Sequence, residues 1–298
     1  MNSRPILSLP EDNHHRRSEL TTFENSYQAE ITAIHRLTAL EKLYRLQIIN
    51  PHEREEFRFQ PGQFVMLEIP GIGEAPFSIS SPASRKGDLE LCIRRAGTVT
   101  DFLDKVPCGT QVGLRGPFGT HFPMEQMVDH HILLIAGGLG LAPLRSPIAY
   151  VQENRSRFQT VDIVYGTQEP SQLLFTYQYD QWRADDLNLE IVVDRADASW
   201  TGRTGVVTTI LDDLFAGRDE SYFHNTYAIV CGPPVMFKFV CAALTAKDIP
   251  MGKMFVSLER RMHCGMGKCC RCNVGSTYTC LSGPVFDYWT VMNLKEAI

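Results

Sequence analysis

Ile132-Leu-Leu-Ile-Ala-Gly-Gly-Leu-Gly-Leu-Ala-Pro143 reads as a buried strand that runs into a glycine turn and opens a helix. Its unbroken apolar start suits a strand covered on both faces. Pro143 suits the first helical turn, where a missing N–H costs nothing. Such a helix start offers free N–H groups and a positive dipole end to a pyrophosphate. The strict G-x-G-x-x-G fingerprint is not met, because Gly138 and Gly140 are followed by Pro143 where the third glycine belongs. Taken alone, the segment fits a glycine turn of any α/β fold equally well.

Downstream, apolar runs at 161–165, 189–193 and 227–230 alternate with helix-like stretches. Strands alternating with helices imply βαβ units and a parallel sheet. The last run continues as Tyr227-Ala-Ile-Val-Cys-Gly-Pro-Pro-Val-Met236, a strand that ends in a tight turn before a helix. Catalytic groups of parallel α/β folds gather at such strand ends. Cys231 sits there, where a small polarizable group would lie against a planar ring; inert packing is the plain alternative.

Upstream, residues 28–119 follow a period of two: Ile31 and Ala33, then Tyr44, Leu46 and Ile48, then Leu89, Leu91 and Ile93. Short alternating strands broken by proline and glycine turns predict a small antiparallel barrel, interrupted by a brief helix at 98–105. Ala75-Pro-Phe-Ser-Ile-Ser80 joins a rigid turn, an aromatic face and two hydroxyls, and Gly97-Thr-Val-Thr100 opens the brief helix. Together they offer stacking, donors to a ring and N–H groups for phosphate. Read singly, Phe77 is core and Ser78 an edge hydroxyl.

Near the C-terminus, Cys264, Cys269, Cys272 and Cys280 are spaced C-x4-C-x2-C-x7-C. Thiolates so clustered, in a chain without an apolar secretory segment, read as metal ligands rather than disulfides. Gly265 and Gly267 inside the first interval let backbone N–H groups approach cluster sulfurs. The spacing favours a 2Fe–2S cluster. A four-cysteine zinc knuckle is the alternative, although only Cys269 and Cys272 form the short hook that structural zinc prefers. Cys270 falls between ligands as a spectator.

The chain has 298 residues, 44% of them hydrophobic, and a formal net charge of −5. That length suggests two ordinary domains plus a small metal-held lobe. The charge gives no reason to expect nucleic-acid binding, and the 132–144 apolar stretch is too short and too glycine-rich to span a bilayer. Pro5, Pro10 and the polar run 11–17 predict a loose N-terminal arm. The thiol-rich composition predicts a reducing cytoplasm.

The order of Ala-Pro-Phe-Ser, Gly-x-Val-Thr, Gly116-Pro-Phe-Gly119, the 136–143 glycine turn, Cys-Gly-Pro-Pro and Glu259-Arg-Arg-Met-His-Cys-Gly-Met-Gly-Lys-Cys resembles the ferredoxin–NADP reductase superfamily. Within it, the chain is similar to the branch with a C-terminal 2Fe–2S lobe. That branch includes gamma subunits of cytosolic NAD(P)-linked nickel–iron hydrogenases, the B subunit of anaerobic sulfite reductase, and the electron-transfer subunit of dihydroorotate dehydrogenase. The likeness spans about 27–288; the Glu259-Arg-Arg-Met run and Cys280-Leu-Ser-Gly-Pro-Val-Phe286 favour the first two.

The resemblance implies FAD on the barrel, with Pro76, Phe77, Ser78 and Ile79 along the flavin ring and Ser78 beside its N5. Gly97, Val99 and Thr100 would meet the phosphates. The family's usual arginine is replaced by Ala75, so Arg94 or Arg95 is expected to supply the cation. Gly137, Gly138, Leu139, Gly140 and Pro143, with Cys231, Gly232, Pro233 and Pro234, would hold NAD(P)H, Cys231 beside the nicotinamide. The change from period two to buried strands alternating with helices near 123–129, and the start of the cysteine lobe near 249–253, give the expected division: an arm at 1–24, an FAD barrel at 25–126, an NAD(P) domain at 127–252 and a cluster lobe at 253–298. The expected function is a diaphorase that passes electrons between NAD(P)H and the iron–sulfur and catalytic subunits of a redox complex, hydrogenase first and sulfite reductase next. A free-standing ferredoxin reductase and a zinc-stabilised binding module are the alternatives, and NAD is not separated from NADP.

Overall fold

The computed structural model describes residues 26–294, and the arm expected at 1–24 lies outside them. Strands β1 (Tyr27–Arg36), β2 (Glu41–Ile48), β3 (Phe64–Ile69), β4 (Gly73–Ser78), β5 (Asp88–Arg94) and β6 (Gln111–Phe118) form one antiparallel sheet in the order β4-β3-β6-β1-β2-β5. Its two ends meet just beyond β4, where Ser80 N donates to Glu90 O at 2.8 Å and Glu90 N donates to Ser81 Oγ at 3.1 Å. The result is a barrel around Ile31, Tyr44, Leu46, Leu67, Leu91 and Leu114.

The alternation read from the sequence departs from the structure in two strands. In β1 a register shift falls between Ile31 and Ala33, so Ile34 rather than Ala33 returns to the barrel core. A bulge inserts one residue and flips the phase of the rest of the strand. In β5, Glu90 and Cys92 are buried as well as Leu89, Leu91 and Ile93. Cys92 belongs to the core of the second domain, which covers the strand's outer face.

That second domain is built on β7 (His131–Gly137), β8 (Val161–Thr167), β9 (Asn188–Val193), β10 (Arg203–Thr204), β11 (Thr226–Cys231) and β12 (Met254–Ser257). A short ribbon, β13 (Asn273–Val274) with β14 (Thr277–Tyr278), precedes β15 (Val285–Asp287). The sheet runs β10-β9-β8-β7-β11-β12-β15, parallel except for β15, with helices and apolar cores on both faces. Strand order reverses between β7 and β11, which opens a crevice at their C-terminal ends.

The cysteine-bearing segment is stitched to both domains. Its β15 pairs with β12 on the parallel sheet. On the barrel side, Thr120 N donates to Gly283 O at 2.6 Å, the Thr120 hydroxyl donates to Val285 O at 2.6 Å, and an Arg115 N–H donates to Cys264 O at 3.1 Å. Among the described residues, no helix is long and apolar enough to cross a membrane.

Candidate functional site

At the strand crossover the two glycine turns are packed into each other. A side chain at Gly140 would place its Cβ 2.1 Å from the Cys231 carbonyl oxygen. One at Gly232 would lie 3.1 Å from Gly137 Cα, and one at Gly137 would lie 2.6 Å from Met236 Sδ. Gly138, by contrast, faces open space. Gly137, Gly140, Cys231, Gly232 and Pro233 are thus brought together, while Gly138 and Leu139 form the outer, half-buried side of the turn. The helix Leu141–Glu153 starts immediately after, with Pro143 in its first turn, so its positive dipole end lies at the glycine turn.

Cys231 is buried, and its thiol is hydrogen-bonded to Ser257 on β12. Burial pushes the thiol pKa upward, the nearby Glu259 adds to this, and Ser257 opposes it. The shift disfavours the thiolate, which is the nucleophilic form. Solvent reaches Glu259 at the cleft opening, yet the protein packed around it raises its carboxyl pKa, with Arg94 of the barrel opposing. Cys231, Ser257, Glu259 and Arg94 thus meet where the two domains face each other. Glu259 heads the Glu259-Arg-Arg-Met run but was given no role of its own, and Ser257 was not singled out by any motif; a hydroxyl at the end of a parallel strand is the signal that could have found it.

On the barrel, Pro76, Phe77 and Ser78 lie along β4 opposite Met66, Val65 and Phe64 of β3. Ile79 is buried just beyond. The helix Thr98–Leu103 rests on this strand, Val99 lying 3.6 Å from where a Gly73 side chain would begin. The Thr100 hydroxyl accepts from Ala96 N at 2.8 Å and Gly97 N at 2.9 Å, which pre-forms the turn but occupies those donors. Arg94 is ion-paired to Glu41 and faces the cleft. Arg95 is held at 3.5 Å and 3.7 Å by Asp104 and Asp101 of the brief helix. Of these two, Arg95 is the one tied to the helix that follows the Gly97 turn.

The four cysteines come together in one loop against the barrel. Gly267 N donates to Cys280 Sγ at 3.1 Å, and Lys268 N and Met266 N approach Cys264 Sγ at 3.3 Å and 3.5 Å. The thiols hydrogen-bond in two pairs, Cys264 with Cys269 and Cys272 with Cys280. Burial would raise the Cys264 thiol, but the N–H groups of Met266, Cys269 and Lys268 and the Cys269 thiol outweigh it and leave it at about 7. Cys280 is pushed up to about 12 by burial and by Cys272, against the Gly267 N–H. Cys270 is exposed, points away at a φ of 57°, and contacts the Tyr278 hydroxyl at 3.2 Å.

This loop fits an iron–sulfur group. Gly265 and Gly267 have φ of 74° and 75°, and side chains there would strike Met66 at 2.9 Å and Leu281 at 2.4 Å. Only glycine lets the chain wrap this closely while turning its N–H groups toward sulfur. Arg115 secures the loop from below, its guanidinium also pairing with Glu74 at 2.7 Å. Arg115 is a second residue that no motif announced.

Residues 28–122 match the oxidoreductase FAD-binding domain, 134–242 the oxidoreductase NAD-binding domain, and 259–292 the iron–sulfur cluster binding domain of dihydroorotate dehydrogenase B. Sulfhydrogenase 2 subunit gamma of Pyrococcus furiosus is 38% identical over 286 residues, covering 92% of this chain and 98% of that protein. The chain belongs to this family of flavin and iron–sulfur oxidoreductases. A probable dihydroorotate dehydrogenase B (NAD(+)) electron transfer subunit of Thermococcus kodakarensis is 32% identical over 237 residues, 78% of this chain and 87% of that one. The fold is shared with an NADH-dependent reduced ferredoxin-NADP oxidoreductase, at a TM-score of 0.68 and 21% identity over 91% of this chain and 93% of that one. In this oxidoreductase, the barrel is therefore the FAD-binding unit, the parallel sheet the NAD-binding unit, and the cysteine loop the iron–sulfur unit.

Proposed function

We propose that this oxidoreductase takes electrons from NAD(P)H onto FAD and delivers them through a 2Fe–2S cluster to the catalytic subunit of a nickel–iron hydrogenase complex. The observation that carries this reading is the seat of the cysteine loop. Ser78 of the flavin strand pairs with Phe64, and Phe64, Met66 and Phe118 form one apolar cluster with Cys272 and Cys280. The flavin strand β4 and the strand β3 that carries Phe64 and Met66 of this wall are direct neighbours, one inter-strand spacing of about 4.8 Å apart. The sulfhydrogenase gamma relatives, similar over nearly their whole length, support hydrogenase as the partner.

FAD held here would supply the chemistry that links two-electron hydride exchange with a nicotinamide to one-electron exchange with an iron–sulfur cluster. The chain's own residues hold the parts. Pro76, Phe77, Ser78 and Ile79 line the flavin ring; Gly97, Val99, Thr100 and the Arg95 guanidinium attend its phosphates, and Arg94 balances Glu41 and Glu259 at the cleft. Residues 137–143 seat the dinucleotide pyrophosphate on a helix start, and Cys231 to Pro234 carry the nicotinamide, with the protonated Cys231 thiol as packing surface. Cys264 and Cys269 would ligate one iron and Cys272 and Cys280 the other. The C-x4-C-x2-C-x7-C spacing and the two thiol pairs support this over mononuclear zinc.

The test begins with the colour of the purified protein. Flavin and cluster absorption, two irons per chain, and oxidation of NADH or NADPH with ferricyanide are expected, with no hydrogen evolution until partner subunits are restored. Co-purification from the native cell names that partner. A colourless protein, or one that evolves hydrogen alone, overturns the reading; recovery with a dihydroorotate dehydrogenase would keep the chemistry and change the partner.

A further inference from the structure

Arg145 is the fifth residue of the helix Leu141–Glu153, just after the glycine turn, yet its side chain leaves its own domain. One guanidinium nitrogen, Nη1, donates to the Glu90 carboxylate on β5 at 2.6 Å and to the Ser80 carbonyl at 3.1 Å. Nε turns back to Gln178 Oε1 at 2.7 Å, and the guanidinium carbon lies 4.9 Å from the Phe175 ring centre. Only 8% of the side chain is exposed. Glu90 is met a second time by Arg85 at 3.0 Å. Two domains that merely needed to adhere would meet on apolar side chains, because burying a guanidinium carries a large desolvation cost. A planar fork with partners on both sides instead fixes an orientation. Ser80 is two residues past Ser78, and Arg145 is five past Gly140, so the fork ties the strand of the flavin to the turn of the dinucleotide.

We propose that Arg145 is a positioning residue that sets the hydride-transfer distance by locking the NAD-binding domain onto the flavin barrel. This rests on the functional reading above. In the step concerned, the dihydronicotinamide is oxidised by loss of a hydride, one proton and two electrons, and the flavin is reduced by gaining it. Arg145 touches neither; it acts through Ser80, Glu90 and its own helix.

The holoprotein is compared with Arg145→Gln, Arg145→Lys, Glu90→Gln and the double variant Arg145→Gln/Glu90→Gln. In Arg145→Gln, flavin reduction at saturating dinucleotide should fall about tenfold or more, since small misplacements of reacting groups are costly in rate. The half-saturating concentration should move far less, and flavin and iron content should be unchanged. Amide hydrogen exchange should accelerate together at 78–81 and 141–146, on both sides of the contact. Arg145→Lys, which keeps the charge and loses the fork, should fall between. If Arg145→Gln does not fold, Glu90→Gln and the double variant carry the same measurements. A folded variant that lost stability but kept its reduction rate would overturn the proposal. A wild-type protein that binds no flavin, or is reduced by neither dinucleotide, would sink the functional reading instead.

Discussion

The cysteine loop and the strand-end crevice hold their groups by opposite means. In the loop the binding atoms are side chains, and a single stretch, 264–280, contains all four sulfurs and the glycines that cradle them. In the crevice the surfaces are largely backbone, and the parts lie far apart in sequence, Gly140 pressed on Cys231 and β5 gripped by Arg145 across 55 residues. A ligand set written in side chains survives as a spacing. A site made of close backbone approach exists only after the sheet has formed.

The largest effect should come from removing a sulfur. Cys272→Ser is expected to abolish cluster absorption and leave less than about a tenth of the iron, because folding of such a lobe is coupled to its metal. Cys270→Ser should retain both, since that thiol turns outward to Tyr278. Iron analysis and the reduced-state EPR signal decide it, and an intact signal in Cys272→Ser would break the side-chain half of the comparison.

Next comes the backbone half. Gly140→Ala puts a methyl 2.1 Å from the Cys231 carbonyl oxygen and 2.5 Å from its carbon, where nothing flexible yields. Overpacking against main chain should cost about 3 kcal/mol in urea unfolding, with the NAD-binding domain melting early and the cluster spectrum unaltered. A wild-type unfolding curve for Gly140→Ala would mean that the two turns are not locked.

How far each site was legible obeys the same division. The barrel, the parallel sheet and the cysteine lobe were readable because burial on one or two faces imposes period two or an apolar run, as in β2 and β7. Glu90 and Cys92 broke the period because another domain covers them, which no local window contains. The resemblance named the turns at 137–143 and 231–234 as one site, and the structure supplies the reason in their mutual packing. Arg145 and Arg115 escaped altogether, and Glu259 was quoted in a motif without its role in the cleft: each acts on a residue more than twenty-five positions away, and a lone arginine or glutamate in a sequence is most simply a solvated surface charge.

A smaller effect should appear in acid. Burial would raise the Glu90 carboxyl, but Arg145 and Arg85 outweigh it and hold it below the usual 4.5. The unfolded chain then takes up this proton at a higher pH than the folded one does. The stabilisation is therefore complete above pH 4.5 and is lost as pH falls through the lower, folded value. Thermal unfolding across that window should show a shallower decline in Glu90→Gln than in the wild type, and equal slopes would remove Glu90 from the account.

The smallest expected effect is at the rim of the cysteine loop, where side-chain chemistry faces outward. Arg261, His263, Lys268 and Arg271 are exposed around the cluster in a chain whose total charge is −5. Such a local positive field steers an acidic partner without adding much to the affinity of the final complex. Reversing Lys268 and Arg271 to glutamate should slow electron delivery to the partner subunit about threefold at low salt, an effect that shrinks as ionic strength approaches about 1 M and the screening length contracts. Reduction of a neutral quinone dye should be nearly unchanged, because an uncharged acceptor feels no steering. An anionic or cationic dye is unsuitable as the reference, since reversal would alter its own approach. Equal losses with partner and quinone would show that the substitutions had disturbed the N–H cradle of Cys264, to which Lys268 N itself donates, and the outward face of the loop would then have to be counted with its interior.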